Sequence, residues 1–308
     1  MSRVSEILEN SKEMLFTVEF PEIDSGGMER IAKHVDRIAP WFDAANSTDN
    51  TAAHAHASNT AVAIAMKIYG VEPILQIVCR DKNRLAIQSD LMGAALHGIE
   101  NVVMLTGDDV SAGDEPEARR VFDLDGPQAL VVAKVLTTGQ YLSGRKIDPA
   151  PNFYIGAVEN PAAPPFEHRI QRALKKHRAG ARFLQLQICY HPGRLEDFCR
   201  GISELAPNLH IIPTVVLVKN EKSLNFMNDK VPGIDIPQST IKRVRESTDP
   251  GEAAYQLVLE QSLHALSLPG VRGLHVIDFR RDSSLERLMR ELGRTPQLQS
   301  PIENQWRK

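Results

Sequence analysis

The chain has 308 residues, of which 42% are hydrophobic and 24% are charged, and its formal net charge is -3. These values are typical of an enzyme-sized globular protein with one large domain or two small ones. A charge this close to zero, without a long basic run, argues against nucleic acid as a partner. No stretch reaches the roughly 18 apolar residues of a membrane-spanning helix, and the N-terminus lacks a signal-peptide pattern. We therefore expect no membrane attachment and a cytoplasmic location.

Strand-like runs alternate with helix-like segments along the chain. Eight runs rich in Val, Ile, Leu and Phe predict strands at residues 15–20, 42–48, 72–79, 101–107, 152–160, 183–190, 210–217 and 273–279. Apolar residues at helical spacing predict helices at residues 28–38, 58–69, 83–96, 127–142, 166–178, 195–205, 253–266 and 283–292. The strands are continuously apolar, which indicates a parallel sheet buried on both faces under an outer layer of helices.

This alternation predicts a single-domain (β/α)8 barrel over residues 1–293, followed by a polar tail over residues 294–308. The alternative, an open doubly wound sheet, would need a glycine-rich phosphate turn after the first strand. Gly26-Gly27 lacks the third glycine of that turn. Two connections, residues 108–126 and 218–247, are long and follow strands. We expect both on the catalytic rim of the barrel, the second with two small helices around a Pro-Gly turn.

The first strand run, LFTVEFPE, ends by presenting Glu19 just before Phe20-Pro21, where the proline removes a backbone donor and stops the ladder. In a parallel barrel the carboxyl ends of the strands form the catalytic face. Partial burial there disfavours the charged form and raises the pKa of a glutamic acid toward neutrality, as a general acid requires. The simpler interpretation is a glutamate that caps a loop or pairs with a surface cation.

The carboxyl ends of the other strand runs also carry a largely polar set: Asn46, Thr48, Asp49, Asn50, Gln76, Arg80, Asp81, Thr106, Gly107, Asp108, Asp109, Glu159, Asn160, Gln185, Gln187, Tyr190, Asp278 and Arg280. Such amides, hydroxyls and few carboxylates suit recognition of a heteroaromatic ring by hydrogen bonds, with one acid for proton transfer. A metal is not expected. His54-x-His56 lies in a loop of small residues without an acid at helical spacing, and the three cysteines form no C-x-x-C pair.

Six motifs give the chain a resemblance to a known family. They are FTVEFPE, NSTDN, EPILQIVCRDKNR, NVVMLTGD, AGARFLQLQ and GVRGLHV, and they stand in order on the predicted strands. The chain resembles the methylenetetrahydrofolate reductases, which are flavoprotein (β/α)8 barrels, from about residue 15 to 292. The resemblance implies reduction of 5,10-methylenetetrahydrofolate to 5-methyltetrahydrofolate in one-carbon metabolism and methionine biosynthesis. It also implies FAD as hydride carrier, recharged by NAD(P)H or a partner protein.

The resemblance further implies roles for individual residues. Glu19 matches the general acid that protonates N10 of the folate, and Asp108 matches the aspartate that lies beside the flavin and contacts the pterin. Gln187 matches a substrate-binding glutamine at the flavin face. The residues that match the cofactor-binding positions are Thr48, Gln76, Thr106, Gly107, Asp108, Asn160 and Lys176. Gln76, Thr106 and Asn160 depart from the family pattern there, as does Arg169, since many members have histidine, arginine, tyrosine and aspartate at these four positions.

Alternatives remain open at this point. Some divergent members of the family lack flavin and transfer hydride directly from NAD(P)H, and folate-binding methyl-transfer barrels share the fold without redox chemistry. The TDN, CRDKNR and LTGD pattern resembles a branch in which some members work with an iron-sulfur partner subunit. A homo-oligomer is also compatible with the sequence.

Overall fold

The computed structural model describes residues 1–297 and forms a parallel β-barrel surrounded by helices. The strands are β1 Leu15–Glu19, β2 Ala44–Ser47, β3 Pro73–Val78, β4 Asn101–Leu105, β5 Tyr154–Glu159, β6 Phe183–Leu186, β7 His210–Ile212, β8 Thr214–Leu217 and β9 Gly273–Asp278. Their order in the sheet is β7-β6-β5-β4-β3-β2-β1-β9-β8, with every pair parallel. This is the predicted single-domain (β/α)8 barrel.

The seventh predicted run, residues 210–217, is divided into β7 and β8 at Pro213, which has no N–H to donate to a ladder. β7 pairs with β6, whereas β8 pairs with β9. The carbonyl oxygen of Pro213 still accepts a hydrogen bond from the His275 amide at 2.8 Å, and that of Ile211 accepts one from Arg272 at 2.9 Å. The two short strands therefore act as one kinked barrel strand that closes the sheet.

Eleven helices accompany the strands within residues 1–297. They are α1 Arg3–Asn10, α2 Glu29–Ile38, α3 Asn59–Ile68, α4 Arg84–Leu96, α5 Gly126–Thr137, α6 Glu167–Ala179, α7 Pro192–Leu205, α8 Glu221–Lys230, α9 Gln238–Arg245, α10 Pro250–Leu266 and α11 Ser284–Glu291. Local signals explain several starts. Asp125 and Gln128 form a capping box at α5, while Asn83 caps α4 with its side-chain oxygen. The buried faces of these helices and of the strands form the main core.

Helix α1, which the sequence-based prediction lacked, fills the amino-terminal mouth of the barrel. Its buried Val4, Ile7 and Leu8 pack in one cluster with inward-facing residues of the strands, among them Leu15 and Phe183. These three apolar positions have helical spacing, but a helix of eight residues has little stability in isolation. Packing against the barrel therefore stabilises it.

The long connection after β8 folds as predicted into α8, a Pro232-Gly233 turn and α9. Its apolar residues, including Val218, Leu224 and Ile241, form a second cluster with residues of β8 and α10. This excursion rises over the carboxyl-terminal mouth. At the other end of the chain, Arg294 donates to Asp43 at 2.9 Å and the Gln297 amide donates to Pro40 O at 2.7 Å. The remainder of the predicted tail, residues 298–308, lies outside the described residues.

Candidate active site

A cavity of about 370 Å³ opens at the carboxyl ends of the strands. Residues of every strand except β7 reach it, so it is the common mouth of the barrel. Its polar lining includes Glu19, Asn46, Gln76, Thr106, Asp108, Glu159, Asn160, Arg169, Arg172, Lys176, Gln185, Gln187, Thr214 and His275. Eight of the nine residues predicted for the site lie on its wall. The exception is Thr48.

Glu19 closes β1 and faces this cavity. Burial raises the pKa of Glu19 to about 8, and the negative charge of nearby Glu22 acts in the same direction. Among residues 1–297 its carboxyl group has no hydrogen-bond or ion-pair partner. A partly buried carboxyl group with such a pKa is mostly protonated at neutral pH, and it is therefore equipped to donate a proton.

Asp108 lies on the rim beside the end of β4, after a turn that requires glycine. Gly107 has φ +89°, and a Cβ atom there would lie 2.1 Å from Cγ2 of Val78. Burial raises the pKa of Asp108, while the charge of Arg80 opposes that shift. A side chain larger than hydrogen at position 107 would displace Asp108 from its place on the rim.

Arg80 organises the loops around Asp108. Only 2% of this residue is exposed, and its guanidinium group bonds both oxygens of Asp81 at 2.7 Å. It also donates to the carbonyl oxygens of Asn50 at 3.0 Å and Asp108 at 3.4 Å. Three strand-end loops are thus held by one side chain. The sequence placed Arg80 at a strand end but gave it no role, because its partners come from separate parts of the chain.

The floor of the cavity is a polar network inside the barrel. Asn46 and Gln185 exchange two amide hydrogen bonds, at 2.9 and 3.0 Å. Nδ1 of His275 lies 2.8 Å from Oγ1 of Thr17 and 3.5 Å from Nε2 of Gln185. Sequence reasoning missed Thr17 and His275. Thr17 could have been found from the alternation of side chains along a strand, which places it on the same face as Glu19.

One wall carries a carboxylate surrounded by cations. Glu159 is 3% exposed, and its carboxylate accepts from Lys176 Nζ at 2.6 Å and Arg169 Nη1 at 3.3 Å, with Arg172 Nε at 3.6 Å. Burial lowers the pKa of Lys176, and the charge of Glu159 opposes that change. The cluster leaves two positive charges unbalanced at the cavity wall, so this wall favours an anionic group.

Three further predicted residues line the cavity with side chains that also bond the surrounding backbone. Asn160 accepts from Ala162 N at 2.9 Å and donates to Gly233 O at 2.7 Å. Gln187 accepts from Ile188 N at 3.0 Å, and Thr106 Oγ1 accepts from Gly126 N at 3.1 Å. These bonds hold each side chain in one orientation. Asn160 in addition ties the α8–α9 excursion to the rim.

The structure departs from the prediction at Thr48, which does not share the cavity with Glu19, Asp108 and Gln187. It lines a separate small pocket with Phe20, Pro21, Glu22 and His56. β2 ends at Ser47, and beyond a strand end the alternation of inward and outward side chains no longer applies. Thr48 therefore lies at the carboxyl-terminal side of the barrel but outside its mouth.

The two histidines of the predicted His54-x-His56 pair lie outside the cavity and have separate local partners. Nδ1 of His56 lies 2.6 Å from Asp24, and Nδ1 of His54 lies 3.1 Å from the carbonyl oxygen of Ala52. Across residues 1–297, no three His, Cys, Asp or Glu side chains gather in a way that could hold a metal ion. Nor does this part of the chain contain a helix with the length and apolar character needed to cross a bilayer.

The fold and the site define a class: a (β/α)8 barrel with a single polar mouth at the carboxyl ends of its strands, the end at which barrel enzymes carry out their reactions. A sequence profile of one family, described as methylenetetrahydrofolate reductase, matches residues 3–293. Since the match spans nearly the whole chain, the protein belongs to the methylenetetrahydrofolate reductase family.

Similar proteins are distant in sequence. A Caenorhabditis elegans protein named probable methylenetetrahydrofolate reductase (NADPH) is 22% identical over 312 aligned positions, covering 94% of this chain. The chain spans only 43% of the length of that relative. An uncharacterised Clostridium thermocellum protein that binds two copies of 5-methyl-5,6,7,8-tetrahydrofolic acid has a similar structure, with TM-score 0.64, 15% identity and coverage of 94% and 96% of the two chains.

The barrel also resembles EDTA monooxygenase from Chelativorans sp. BNC1. The TM-score is 0.54 at 7% identity, with 91% of this chain and 92% of the other covered. At such low identity a structural likeness shows the shared fold and nothing about the reaction.

Proposed function

We propose that this chain reduces 5,10-methylenetetrahydrofolate to 5-methyltetrahydrofolate, with Glu19 as the general acid. One observation carries the proposal. A carboxyl group that has no polar partner among residues 1–297, with its pKa raised to about 8, faces the mouth of a barrel of the methylenetetrahydrofolate reductase family. The names of the relatives support the substrate class, since one binds 5-methyltetrahydrofolic acid and another is called a reductase that uses NADPH.

The chemistry needs one proton and one hydride. Protonation of N10 lets the bond between N10 and the bridging carbon break, which leaves an iminium group at N5. Hydride addition to the same carbon then gives the N5-methyl group. Glu19 supplies the proton, because a group with a pKa of about 8 is mostly protonated at neutral pH. Its lack of a bonded partner leaves that proton free for transfer.

Asp108 and Gln187 are proposed to orient the folate. Both line the cavity with Glu19, and no side chain bonds the Asp108 carboxyl group among residues 1–297. Carboxylate oxygens can accept from the amino-pyrimidine edge of a pterin, and a glutamine amide can both donate and accept. Two such contacts fix the orientation of a flat ring and bring its reacting nitrogen toward Glu19.

The cavity fits a flavin nucleotide in charge and in hydrogen-bonding groups. The two unbalanced positive charges around Glu159 suit a diphosphate, and Arg172, with 56% of its side chain exposed, has room to turn toward one. Gln76, Thr106 and Gly107 would face the ring. When bound, FAD would supply the hydride, with NAD(P)H as reductant. The chain's own contribution is to hold the reacting rings against each other and to exclude water.

A second candidate is direct hydride transfer from NAD(P)H without flavin. It is favoured by three observations: Thr48 lies outside the cavity, the Asn160 amide is already bonded to Gly233, and Lys176 is bonded to Glu159 and to Val158 O at 2.5 Å. The phosphates of a nicotinamide nucleotide would suit the same cationic wall. The non-redox alternative, a methyl-transfer barrel, has no need for the acid at Glu19.

Other predictions from the sequence remain proposals: the division at residue 293, cytoplasmic location, an iron-sulfur partner subunit, and homo-oligomerisation. None alters the test of the reaction. The purified chain should oxidise NAD(P)H when given methylenetetrahydrofolate, and the spectrum of the material it releases on denaturation should show whether flavin was bound. Stereospecifically deuterated NADPH gives a further test. With direct transfer the deuterium should reach the product methyl group, whereas a flavin would carry it on nitrogen and lose much of it to water by exchange.

Glu19→Gln tests the acid. Folate reduction should fall by about 100-fold or more, the usual contribution of general acid catalysis. Reduction of bound flavin by NAD(P)H needs no proton on N10, so this half-reaction should persist near the parent rate. Glu13→Gln, two residues before the same strand and exposed, is the matched control and should keep full activity. If both half-reactions fell together in a folded, flavin-loaded protein, Glu19 would be a structural residue and the proposal would fail.

A pH profile gives an independent check. The acid form of Glu19 is lost as pH rises through about 8, so the folate half-reaction of the parent should slow above that value. The remaining activity of Glu19→Gln should lack this limb of the profile. A parent profile that stayed flat across this range, with chemistry as the slow step, would assign the proton to another donor.

A further inference from the structure

His275 lies at the floor of the cavity, buried within β9, and its ring has an asymmetric set of partners. Thr17 on the adjacent strand and Gln185 across the barrel both approach Nδ1, at 2.8 and 3.5 Å. The Nδ1 atom is the only hydrogen-bond partner of Thr17 Oγ1 within residues 1–297. Thr17 is fully buried, and a hydroxyl that only accepted there would leave its own hydrogen unpaired. The hydroxyl therefore donates, and Nδ1 accepts.

The imidazole is neutral, because burial lowers the pKa of His275 to about 3. A neutral imidazole carries a single N–H, and with Nδ1 acting as acceptor that hydrogen is on Nε2. Nε2 has no hydrogen-bond partner in residues 1–297, and the atom itself is not fully buried. It therefore reaches the cavity, which His275 lines.

The strand register gives the depth of this donor. Thr17 is paired with His275 between β1 and β9, and Glu19 is paired with Asn46 between β1 and β2. Thr17 and Glu19 point to the same side of β1, about 6.6 Å apart along the strand. The Nε2–H group thus lies one layer of side chains below the proposed acid, where the deepest part of a bound ring would end.

We propose that His275 is a positioning residue, held by Thr17 as the Nε2–H tautomer, and that it donates a hydrogen bond to a carbonyl oxygen or ring nitrogen of the heteroaromatic ring that enters deepest. Only the identity of that ring rests on the proposed function. It is the pterin of the folate or the ring of the redox cofactor, and both have acceptor edges of this kind. The bond would set how deeply the ring lies and so align its reacting atom with Glu19.

Nitrogen-15 NMR of histidine-labelled protein tests the tautomer without any assay of activity. The His275 signals, assigned by their absence in His275→Gln, should show Nε2 protonated and Nδ1 bare from about pH 5 to about pH 8.5. A hydrogen on Nδ1, or a charged imidazolium within that range, would overturn the assignment. Thr17→Val should give a mixture of tautomers, while Thr17→Ser, which keeps the hydroxyl, should resemble the parent.

Ligand titrations identify the ring. In the same spectra, 5-methyltetrahydrofolate, FAD and NADP are added separately, and the one whose ring reaches the floor should move the Nε2–H resonance downfield. If only a nicotinamide or flavin nucleotide moves it, the inference about His275 stands although the folate assignment does not. If none of the three moves it, the positioning role is wrong, whatever the chain proves to catalyse.

Matched substitutions test the effect on affinity. The amide nitrogen of glutamine reaches about as far as Nε2, whereas that of asparagine reaches only as far as Nδ1. His275→Gln should therefore bind the identified ligand within about threefold of the parent, and His275→Asn about fivefold to tenfold more weakly, with a larger change in KM than in kcat. Thr17→Val should weaken binding as much as His275→Asn does, and Thr17→Ser should bind the ligand as tightly as the parent. Equal weakening in His275→Gln and His275→Asn, with both folded, would show that the residue only fills space.

Discussion

The two mouths of the barrel treat polar groups in opposite ways. At the amino-terminal mouth, α1 fills the opening, and Arg272 donates to the carbonyl oxygens at its end, with 2.7 Å to Ser11. Asp43, which is buried there, accepts from Arg3 at 2.6 Å and from Arg294 at 2.9 Å. At the carboxyl-terminal mouth Glu19 is partly buried, but no group among residues 1–297 bonds its carboxyl group. The same barrel wall thus ends in a sealed amino-terminal mouth, the lower mouth, and in a carboxyl-terminal mouth that holds the cavity, the upper mouth.

This difference shows which end of the barrel retains buried carboxyl groups whose charged form is disfavoured. A buried carboxylate in a purely structural place is bonded from several sides, because the desolvation penalty is otherwise too large. At the upper mouth the pKa values of both Glu19 and Asp108 are raised by burial. Such perturbed carboxyl groups in a cavity are characteristic of sites of chemistry. The packing at the lower mouth stabilises the fold, whereas the burial of Glu19 and Asp108 at the upper mouth lowers its stability.

The largest effect is expected at Glu159, a carboxylate of the upper mouth that is bonded like those of the lower one. Glu159→Gln would leave Lys176, itself buried, without its anionic partner. We expect the free energy of unfolding to fall by about 3–5 kcal/mol, the usual cost of breaking a buried ion pair. Chemical denaturation measures it. Adding Lys176→Met should restore most of the loss, while Glu260→Gln, in the exposed pair with Arg243, should cost less than about 1 kcal/mol.

Leu8→Ala tests how much the packing of α1 into the lower mouth stabilises the fold. Leu8 is 1% exposed within the lower cluster, so its truncation should lower the free energy of unfolding by about 2–5 kcal/mol. At a temperature where the protein stays folded, kcat should not change, because the proposed reaction takes place at the opposite mouth. Leu205→Ala, on a side chain that is 61% exposed, is the control and should be nearly neutral. A loss of kcat in folded Leu8→Ala would mean that the two mouths are coupled.

The pH dependence of stability should reveal the cost of Glu19. Its pKa is about 8 in the folded chain and near 4.5 when exposed, so the folded state holds a proton that the unfolded state releases between these values. The stability of the parent therefore falls as pH rises through this window. Glu19→Gln lacks this loss.

The parent and Glu19→Gln should have similar Tm values at about pH 5, whereas at about pH 8.5 Glu19→Gln should be the more stable of the two. A difference of about 1 kcal/mol would raise Tm by about 2 °C in a chain of this size. Calorimetry at the two pH values measures it. If Glu19→Gln were the less stable protein at high pH, the carboxylate would have a stabilising partner that contradicts the description of this mouth.

The smallest effect is expected in the α8–α9 excursion, residues 221–245, which covers the upper mouth. Asp235, between α8 and α9, lies 2.9 Å from Nε2 of His191 and 3.2 Å from Nη1 of Arg194. These are exposed contacts, so Asp235→Ala should lower stability by less than about 1 kcal/mol. It should nevertheless speed hydrogen exchange at residues 221–245 a few-fold, with α1 unchanged. Glu246→Ala, in the weaker pair with Lys242 at 3.9 Å, provides the control. Equal exchange in both variants would mean that Asp235 does not hold the cover.

Much of this architecture could be predicted from residue order. Buried parallel strands are locally recognisable, because continuous runs of Val, Ile and Leu have few other stable places, and all eight runs fall on barrel strands. The end of such a run is also local, so Glu19 and Asp108 could be assigned to one mouth before the fold was known. The roles of these residues in a reaction remain predictions, which the substitutions above test.

What required the folded chain was contact between distant segments. Whether Thr48 faces the mouth depends on the path after β2, and the partners of Glu159 depend on how α6 packs beside β5. The tautomer of His275 follows from a register between β1 and β9, whose residues are 258 positions apart in sequence. Hydrophobic pattern is encoded residue by residue, whereas hydrogen bonding, burial and pKa depend on which groups become neighbours. The barrel and most of the residues at its carboxyl-terminal mouth could therefore be predicted from the sequence, whereas the hydrogen bonds and ion pairs among those residues could not.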